Sequence, residues 1–345
     1  MSVTVLLATR YLQAQGVPEA ITAIDPRLRV RTCLYAEPPE RRAARSRAGT
    51  GDRLDLPAPS LAERDALAEA DVLVALDVPA DLPALAPRLR WCHLISSGTS
   101  HVAYSGLPAP GVALTHSPGG NAPGVAEFVL ARIFEHAKLL PQLAAMQRRR
   151  DGELCFGRRV AGQLLTIVGL GWIGREIAAR AHALGMVVRA VVHRPPTSAP
   201  DGVRVTTDLA AALADADVTV LCASDRAENR NLFDEAAFAA MKHGSFFVNV
   251  SRGVLVDEAA LAAALHSGQL AAAALDVTVH EPLPAAHPLW DAPNLRLSFH
   301  SASTQDGMVA RRLEIFTTNL RRYLSGEPLA HTVPAFSATD RPALP

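Results

Sequence analysis

At 345 residues the chain exceeds what one small core accommodates, so two domains are expected. Hydrophobic residues make up 49% and charged residues 20%, which excludes a disordered chain. Lys+Arg and Asp+Glu balance at 34 each, so no global field favours nucleic acid or an anionic membrane.

Basic runs at Arg41-Arg42, Arg45, Arg47 and Arg148-Arg149-Arg150 lack interleaved aromatics and read as solvated surface. Cys33, Cys92, Cys155 and Cys222 are scattered without a C-x-x-C pair, which argues against zinc, and no metal is expected. The same spacing offers no disulfide framework. The first residues lack a basic lead and a long apolar core, and no apolar stretch reaches the ~18 residues of a membrane span. A cytoplasmic protein is expected.

In chain order, 3–8 reads as a strand, 61–70 as a helix, 71–76 as a second strand and 89–95 as a third. The pattern predicts a small α/β unit with a parallel sheet. Residues 37–60, rich in Pro, Arg and Gly, read as a loop excursion, and the Pro/Gly-rich stretch 106–120 as a crossing between domains. A long helix is expected over 125–140, ended by Pro141. Apolar strands then recur at 164–168, 186–192, 218–222, 245–250, 270–277 and 295–299, with helix-like segments between most of them, as at 173–184, 235–241 and 258–266. Six such segments indicate a doubly wound dinucleotide fold. Residues 309–324 read as a last helix, and the tail after Gly326 as loose.

The turn Gly169-Leu170-Gly171-Trp172-Ile173-Gly174 follows a strand and opens an amphipathic helix, the context a dinucleotide fingerprint requires. Gly169 permits the tight turn, Gly171 a close pyrophosphate and Gly174 close helix packing. With Trp172 and Ile173 these glycines hold the phosphates at the helix N-terminus. Enzymes that use NAD place an acid about 20 residues on, for the ribose hydroxyl. None occurs between Glu176 and Asp201, and the second strand ends in His193 and Arg194. A guanidinium there suits a 2′-phosphate, so the sequence favours NADP(H) over NAD(H).

Ligands of open parallel sheets bind beyond the carboxyl ends of the strands. That rule selects Arg252 after 245–250, Asp276 in 270–277, Glu281 in the loop beyond it, and His300 directly after 295–299. Cys222 and Val250, also at strand ends, complete a cofactor-binding set with Asp276. Reduction of a 2-oxo acid needs a hydride, a proton for the carbonyl oxygen and a cation for the carboxylate. Imidazole suits the proton, a neighbouring carboxylate favours its charged form, and a guanidinium suits the acid group.

These residues resemble the D-isomer-specific 2-hydroxyacid dehydrogenase family. The ordered match runs from about Ala70 to Leu324 and includes Leu89-Arg90-Trp91, Ser97-Gly98-Thr99, Asn121 to Glu127 and the glycine turn. It continues through Asn249 to Gly253, Leu275-Asp276-Val277, Glu281-Pro282-Leu283-Pro284, Pro288-Leu289-Trp290 and His300. The resemblance implies His300 as acid/base, Glu281 as its orienting carboxylate and Arg252 as carboxylate binder. It further implies Asp276 on the nicotinamide carboxamide and the amides of Ser97, Gly98 and Thr99 on the substrate carboxylate. A Rossmann domain at 106–300 would interrupt a smaller flavodoxin-like substrate domain made of 1–105 and 301–330, followed by a tail at 331–345. An active site in the cleft between the domains and a homodimer are also implied, with glyoxylate or hydroxypyruvate as the type of substrate. The chain departs from the family pattern at Phe299, where proline is usual, at Ser301-Ala302-Ser303, and at Ser224-Asp225-Arg226. A dinucleotide-sensing binding protein and a phosphite or formate dehydrogenase are the alternatives. Glu281 argues against the formate branch, which pairs its histidine with glutamine.

Overall fold

The structure, a computed structural model, describes residues 2–14, 16–38, 56–195, 198–304 and 308–334. It divides the chain into two units, Met1–Gly120 with Gln305–Pro345, and Asn121–Thr304. The boundaries thus fall at the far end of the Pro/Gly-rich stretch and just past the His300 turn, where 105/106 and 300/301 were expected. Most of the 37–60 excursion, the basic run at 41–47 and the residues beyond 334 lie outside the described residues.

The first unit is built on a five-stranded sheet of β1 (Val3–Leu7), β2 (Leu28–Thr32), β3 (Val72–Ala75), β4 (Trp91–Leu94) and β5 (Ala113–His116). Its order is β2-β1-β3-β4-β5 and every pair is parallel, the flavodoxin arrangement. β3 and β4 are buried at every position, as strands covered on both faces must be. The helix Leu61–Ala68 starts at a capping box in which Ser60 and Glu63 satisfy each other's amides. The closing helix, Met308–Ser325, lays Phe316 and Leu320 into the core, with Phe316 stacked on Trp91 at 5.4 Å between centroids.

β2 and β5 escaped the sequence pattern. In Leu28-Arg29-Val30-Arg31-Thr32 only Leu28 is buried, the mark of an edge strand, and β5 lies just beyond a Pro-Gly pair that reads as loop. The tail is not loose where it is described. Thr332 bridges Thr115, Val333 N donates to Leu114 O at 2.8 Å, and Asn319 bonds Ala330 in both directions.

The second unit carries β6 (Leu164–Val168), β7 (Val187–Val191), β8 (Val203–Thr206), β9 (Val218–Leu221), β10 (Ser245–Asn249), β11 (Leu270–Leu275) and β12 (Leu295–Leu297). The order β12-β11-β10-β9-β6-β7-β8, parallel throughout, is the doubly wound Rossmann topology. Successive strand residues serve opposite faces. Ile167, Val188 and Phe246 pack with the helices Ala122–Ala137 and Trp172–Ala183, whereas Val168, Leu221 and Phe247 pack under Leu213, Phe238 and Leu261. Seven strands replace the six expected, because β8 is a half-exposed edge strand with no unbroken apolar run. Pro141 does not end the helix expected over 125–140, which runs from Ala122 to Ala137. It sits in the first turn of a second one, Leu140–Arg149, where its missing N–H costs nothing.

Candidate active site

At the end of β6 the backbone turns through Gly169 at φ +104°, where a Cβ would lie 2.7 Å from the Ala223 backbone. Gly171 is the N-cap of the helix Trp172–Ala183, and a Cβ added to it meets nothing within 4 Å. Gly174 presses against the turn so closely that a Cβ would stand 2.1 Å from Gly169 O. Two glycines therefore serve the packing, and the third leaves the approach to the helix N-terminus open. No side chain caps that terminus, so its N–H groups are available to an anion. A dinucleotide pyrophosphate fits this cradle. Ile173 packs into the core beneath it and Trp172 is half exposed. Cys222, expected on the cofactor, supports the turn: its Sγ donates to Gly169 O at 3.0 Å, and burial pushes its pKa up to about 12.

Beyond β7, His193 and Arg194 are both exposed. Arg175, which the sequence reading passed over, reaches the same loop and donates from Nη2 to Ser198 O at 3.0 Å. Its signal was its place one residue after Gly174, at the start of the same helix.

The three strands β10, β11 and β12 are neighbours, so their loops emerge side by side. After β10, buried Asn249 organises the turn: its Oδ1 accepts from Ser251 N and its Nδ2 donates to Arg252 O. Val250 closes the strand at 8% exposure and Arg252 projects into solvent, its Nη1 on Ser251 O at 2.8 Å. Gly253 then lies on the loop after β11, so near that a Cβ would be 2.0 Å from the Thr278 carbonyl carbon. This contact draws the Arg252 turn against the loop that carries Glu281, and any side chain would force them apart.

Glu281 folds back on its own loop, with Oε1 accepting from Thr278 N at 3.0 Å. Its Oε2 takes the Nδ1 side of His300 at 2.8 Å. Glu258 fixes the same loop by accepting from Val279 N at 2.7 Å. An ionised carboxylate can only accept, so His300 Nδ1 is the donor and Nε2 is the ring nitrogen left to exchange a proton. The imidazole is half exposed, and Glu281 far less so.

Phe299 and His300 both adopt left-handed backbone, at φ +50° and +58°. Proline, fixed near −65°, has no access to the conformation that Phe299 adopts here. Non-glycine residues hold such a turn only when their surroundings enforce it. Here the enforcement comes from Asp276, which is 6% exposed. Its Oδ1 accepts from Ser298 Oγ at 2.7 Å, Ser301 N at 2.8 Å and Ala302 N at 3.0 Å, while its carbonyl accepts from His300 N. Asp276 was expected on the cofactor alone, and its hold on the histidine turn was not legible from sequence. Phe299 rests on Trp290 at 5.4 Å between centroids.

In the first unit, Ser97, Gly98 and Thr99 follow β4. The loop is held by its oxygens. Ser97 Oγ donates to Ser117 O at 3.0 Å, His116 Nδ1 meets Ser97 O at 2.8 Å, and Ser96 Oγ donates to Gly98 O at 2.8 Å. The amide groups of Ser97, Gly98 and Thr99 have no acceptor among the described residues. Beneath the loop, Trp91 Nε1 donates to Thr115 Oγ1, whose hydroxyl meets His93 Nδ1, and His93 Nε2 meets Ser117 Oγ. Both ring nitrogens of His93 are thus engaged by hydroxyl groups, and Thr115 Oγ1 stands between the indole and the imidazole. Burial pushes the His93 pKa down to about 3, so the ring stays neutral.

Residues 130–302 match the model of the D-isomer-specific 2-hydroxyacid dehydrogenase NAD-binding domain. The chain belongs to that family. Like its relatives in the 2-hydroxyacid dehydrogenases it is an oxidoreductase that uses a nicotinamide dinucleotide. It is 35% identical over 242 residues to glyoxylate/hydroxypyruvate reductase B of Klebsiella pneumoniae subsp. pneumoniae, a match covering 67% of this chain and 74% of that one. It is 34% identical over 253 residues to the (S)-sulfolactate dehydrogenase of Chromohalobacter salexigens, covering 72% and 81%. Among solved structures, a D-isomer-specific 2-hydroxyacid dehydrogenase from Xanthobacter autotrophicus Py2, in complex with NADPH and MES, superposes with a TM-score of 0.76. Sequence identity there is 27%, over 97% of this chain and 99% of that one. Among the described residues no cluster of His, Cys, Asp and Glu could hold a metal ion, and no helix is long and apolar enough to cross a membrane.

Proposed function

We propose that the protein reduces a small 2-oxo acid, of the glyoxylate or hydroxypyruvate type, to its D-2-hydroxy acid, with His300 as the proton donor. The observation that carries this reading is the 2.8 Å contact between His300 Nδ1 and Glu281 Oε2, made by loops of adjacent parts of one dinucleotide-binding sheet. The bound dinucleotide supplies the hydride to the carbonyl carbon. Glu281 orients the ring, and Nε2 passes its proton to the carbonyl oxygen as the alkoxide forms. Arg252 holds the substrate carboxylate through its guanidinium. The acceptor-free amides of Ser97, Gly98 and Thr99 bind a carboxylate oxygen in the manner of a backbone nest. Asp276 keeps the histidine turn in place and offers its second oxygen to the nicotinamide carboxamide.

The cofactor in this reading is NADP(H) in preference to NAD(H). It is supported by the acid-free segment between Glu176 and Asp201, by the exposed His193 and Arg194, and by Arg175 on the same loop. The Klebsiella relative's name supports the substrate type, and the Xanthobacter complex supports the cofactor. A homodimer, on the strength of the family resemblance, and a cytoplasmic setting, on the scattered cysteines, complete the proposal.

Steady-state kinetics with glyoxylate, hydroxypyruvate, pyruvate and phenylpyruvate, each with NADPH and NADH, test it directly. Turnover of the first two, faster with NADPH, is the expected result. A folded protein that binds the dinucleotide and reduces none of the four acids would instead be a dinucleotide sensor.

A further inference from the structure

The helix Met308–Ser325 turns Phe316 and Leu320 into the core of the first unit, and the same periodicity turns Arg312 inward. Arg312 is 9% exposed. A buried guanidinium is ordinarily matched by a carboxylate, because an unpaired charge away from water is costly. This one makes no hydrogen bond and no ion pair with the described residues. Its recorded partner is the ring of Tyr11, whose centroid lies 5.6 Å from Cζ. Arg10 places a second guanidinium 5.3 Å from that same centroid. The Arg312 stem runs beside Gly120, where an added Cβ would sit 3.5 Å from Cγ and 3.9 Å from Nε. Burial lowers the Arg312 pKa, as expected of a cation lacking a counter-charge.

The position is as telling as the charge. Arg10 and Tyr11 follow β1, Gly120 follows β5, and the Ser97-Gly98-Thr99 loop follows β4. All therefore lie at the carboxyl edge of one parallel sheet, where open α/β sheets bind ligands. A buried cation at that edge, with no counter-ion among the described residues, is a place where a ligand can bring the anion.

We propose that Arg312, with Arg10 and Tyr11, binds a second anionic group of the substrate, so that the preferred 2-oxo acid is doubly charged, with a carboxylate or sulfonate beyond its 2-oxo acid group. This rests on the reductase reading above. Tyr11 orders the two guanidinia by stacking, and Arg312 supplies a charge-assisted hydrogen bond in a dry setting.

The test compares kcat/KM for oxaloacetate and 3-sulfopyruvate with that for hydroxypyruvate, in wild type, Arg312→Met, Arg312→Lys and Arg10→Ala. Wild type is expected to prefer the doubly charged acids. Arg312→Met should lower the ratio of doubly to singly charged substrates by roughly 10- to 100-fold, the loss of one hydrogen bond to a charged group. Arg312→Lys should restore part of it. Arg10→Ala, an exposed change that leaves the core intact, should lower the ratio by a smaller factor. A ratio unchanged in all three variants overturns the site and leaves the reductase standing. Thermal unfolding of the NADPH-bound protein with tartronate or glycolate supplies the independent readout. If no 2-oxo acid is reduced, yet tartronate raises the midpoint more than glycolate in wild type and not in Arg312→Met, the anion site stands and the reductase reading falls. Equal effects of the two acids in both proteins would remove the anion site.

Discussion

Both sheets are parallel throughout and both present loops at the carboxyl ends of their strands, yet they hold those loops by different means. In the dinucleotide unit the side chains proposed for the chemistry stand out of the core. Arg252 and half of His300 face solvent, and what fixes them is backbone: Gly253 against Thr278, and the Asp276 carboxylate on the amides of Ser301 and Ala302. In the other unit the polar groups are inside. His93 lies fully buried between Thr115 and Ser117, and the loop above it hangs from Ser117 and His116. Changes in the first setting should cost chemistry with little loss of fold, and changes in the second should alter stability and its response to pH.

The largest effect is expected at His300. With its donor nitrogen gone, His300→Ala should lower turnover by roughly 100- to 10,000-fold, the range for a general acid. Its dinucleotide affinity, read by fluorescence titration, should stay close to wild type. A parallel loss of cofactor binding would show instead that the left-handed turn itself shapes the cofactor site, and the division between chemistry and fold would fail at that point.

Within the glycine turn the same division separates two substitutions that look alike in sequence. Gly174→Ala puts a Cβ 2.1 Å from Gly169 O, so the helix must back away from the strand, at a cost on the order of 1–3 kcal/mol together with cofactor affinity. Gly171→Ala meets nothing within 4 Å and should leave the unfolding midpoint nearly unchanged while weakening the dinucleotide alone. Equal destabilisation by both would mean that the turn is merely structural.

How far all this is legible in sequence follows the same physical line. Strands buried on both faces, such as β6, β9 and β10, announce themselves as runs that are largely apolar and carry no charge, and the helix 258–266 was placed to the residue. Edge strands do not: β2 and β8 alternate arginine with valine and read as surface. The strand-end rule selected Arg252, Glu281 and His300 as candidates because each lies in a loop that follows a strand, and the structure joins the last two directly. It could not find Gly253, Arg175 or the Asp276–Ser298 clamp, because their significance lies in contacts across 22 to 25 residues of chain. Nor does any pattern distinguish a buried His93 from a surface histidine before its neighbours on β5 are known.

That histidine carries the next prediction. Burial holds its pKa at about 3, below the unfolded value of about 6.5, so the unfolded chain takes up a proton that the folded one refuses. The contribution of His93 is complete above that unfolded value and is lost as the pH falls from there toward 3. Between pH 7 and pH 5 it should remove on the order of 2 kcal/mol of stability. His116 and His331 are shifted downward by burial too and act in the same direction. His93→Gln cannot titrate, and its unfolding midpoint should fall less steeply over that range. Identical slopes for the two proteins would show that the buried ring does not set the acid limit of this unit.

The smallest effect belongs to the exposed cations at the far end of the dinucleotide site. Arg194 has solvent around it, and an exposed ion pair contributes little and is screened by salt. Arg194→Ala should therefore weaken NADPH by about 3- to 10-fold, leave NADH almost untouched, and lose that distinction at high ionic strength. Arg175→Ala should add to it, because Arg175 anchors the loop at Ser198 O and stands in the same helix as the phosphate-binding turn. If NADPH and NADH weaken equally in Arg194→Ala, the residue does not read the 2′-phosphate, and Arg175 becomes the cation on which that selectivity depends. On the proposed reading, discrimination at this end should be electrostatic and salt-sensitive, whereas an anion held by the buried Arg312 should be far less so.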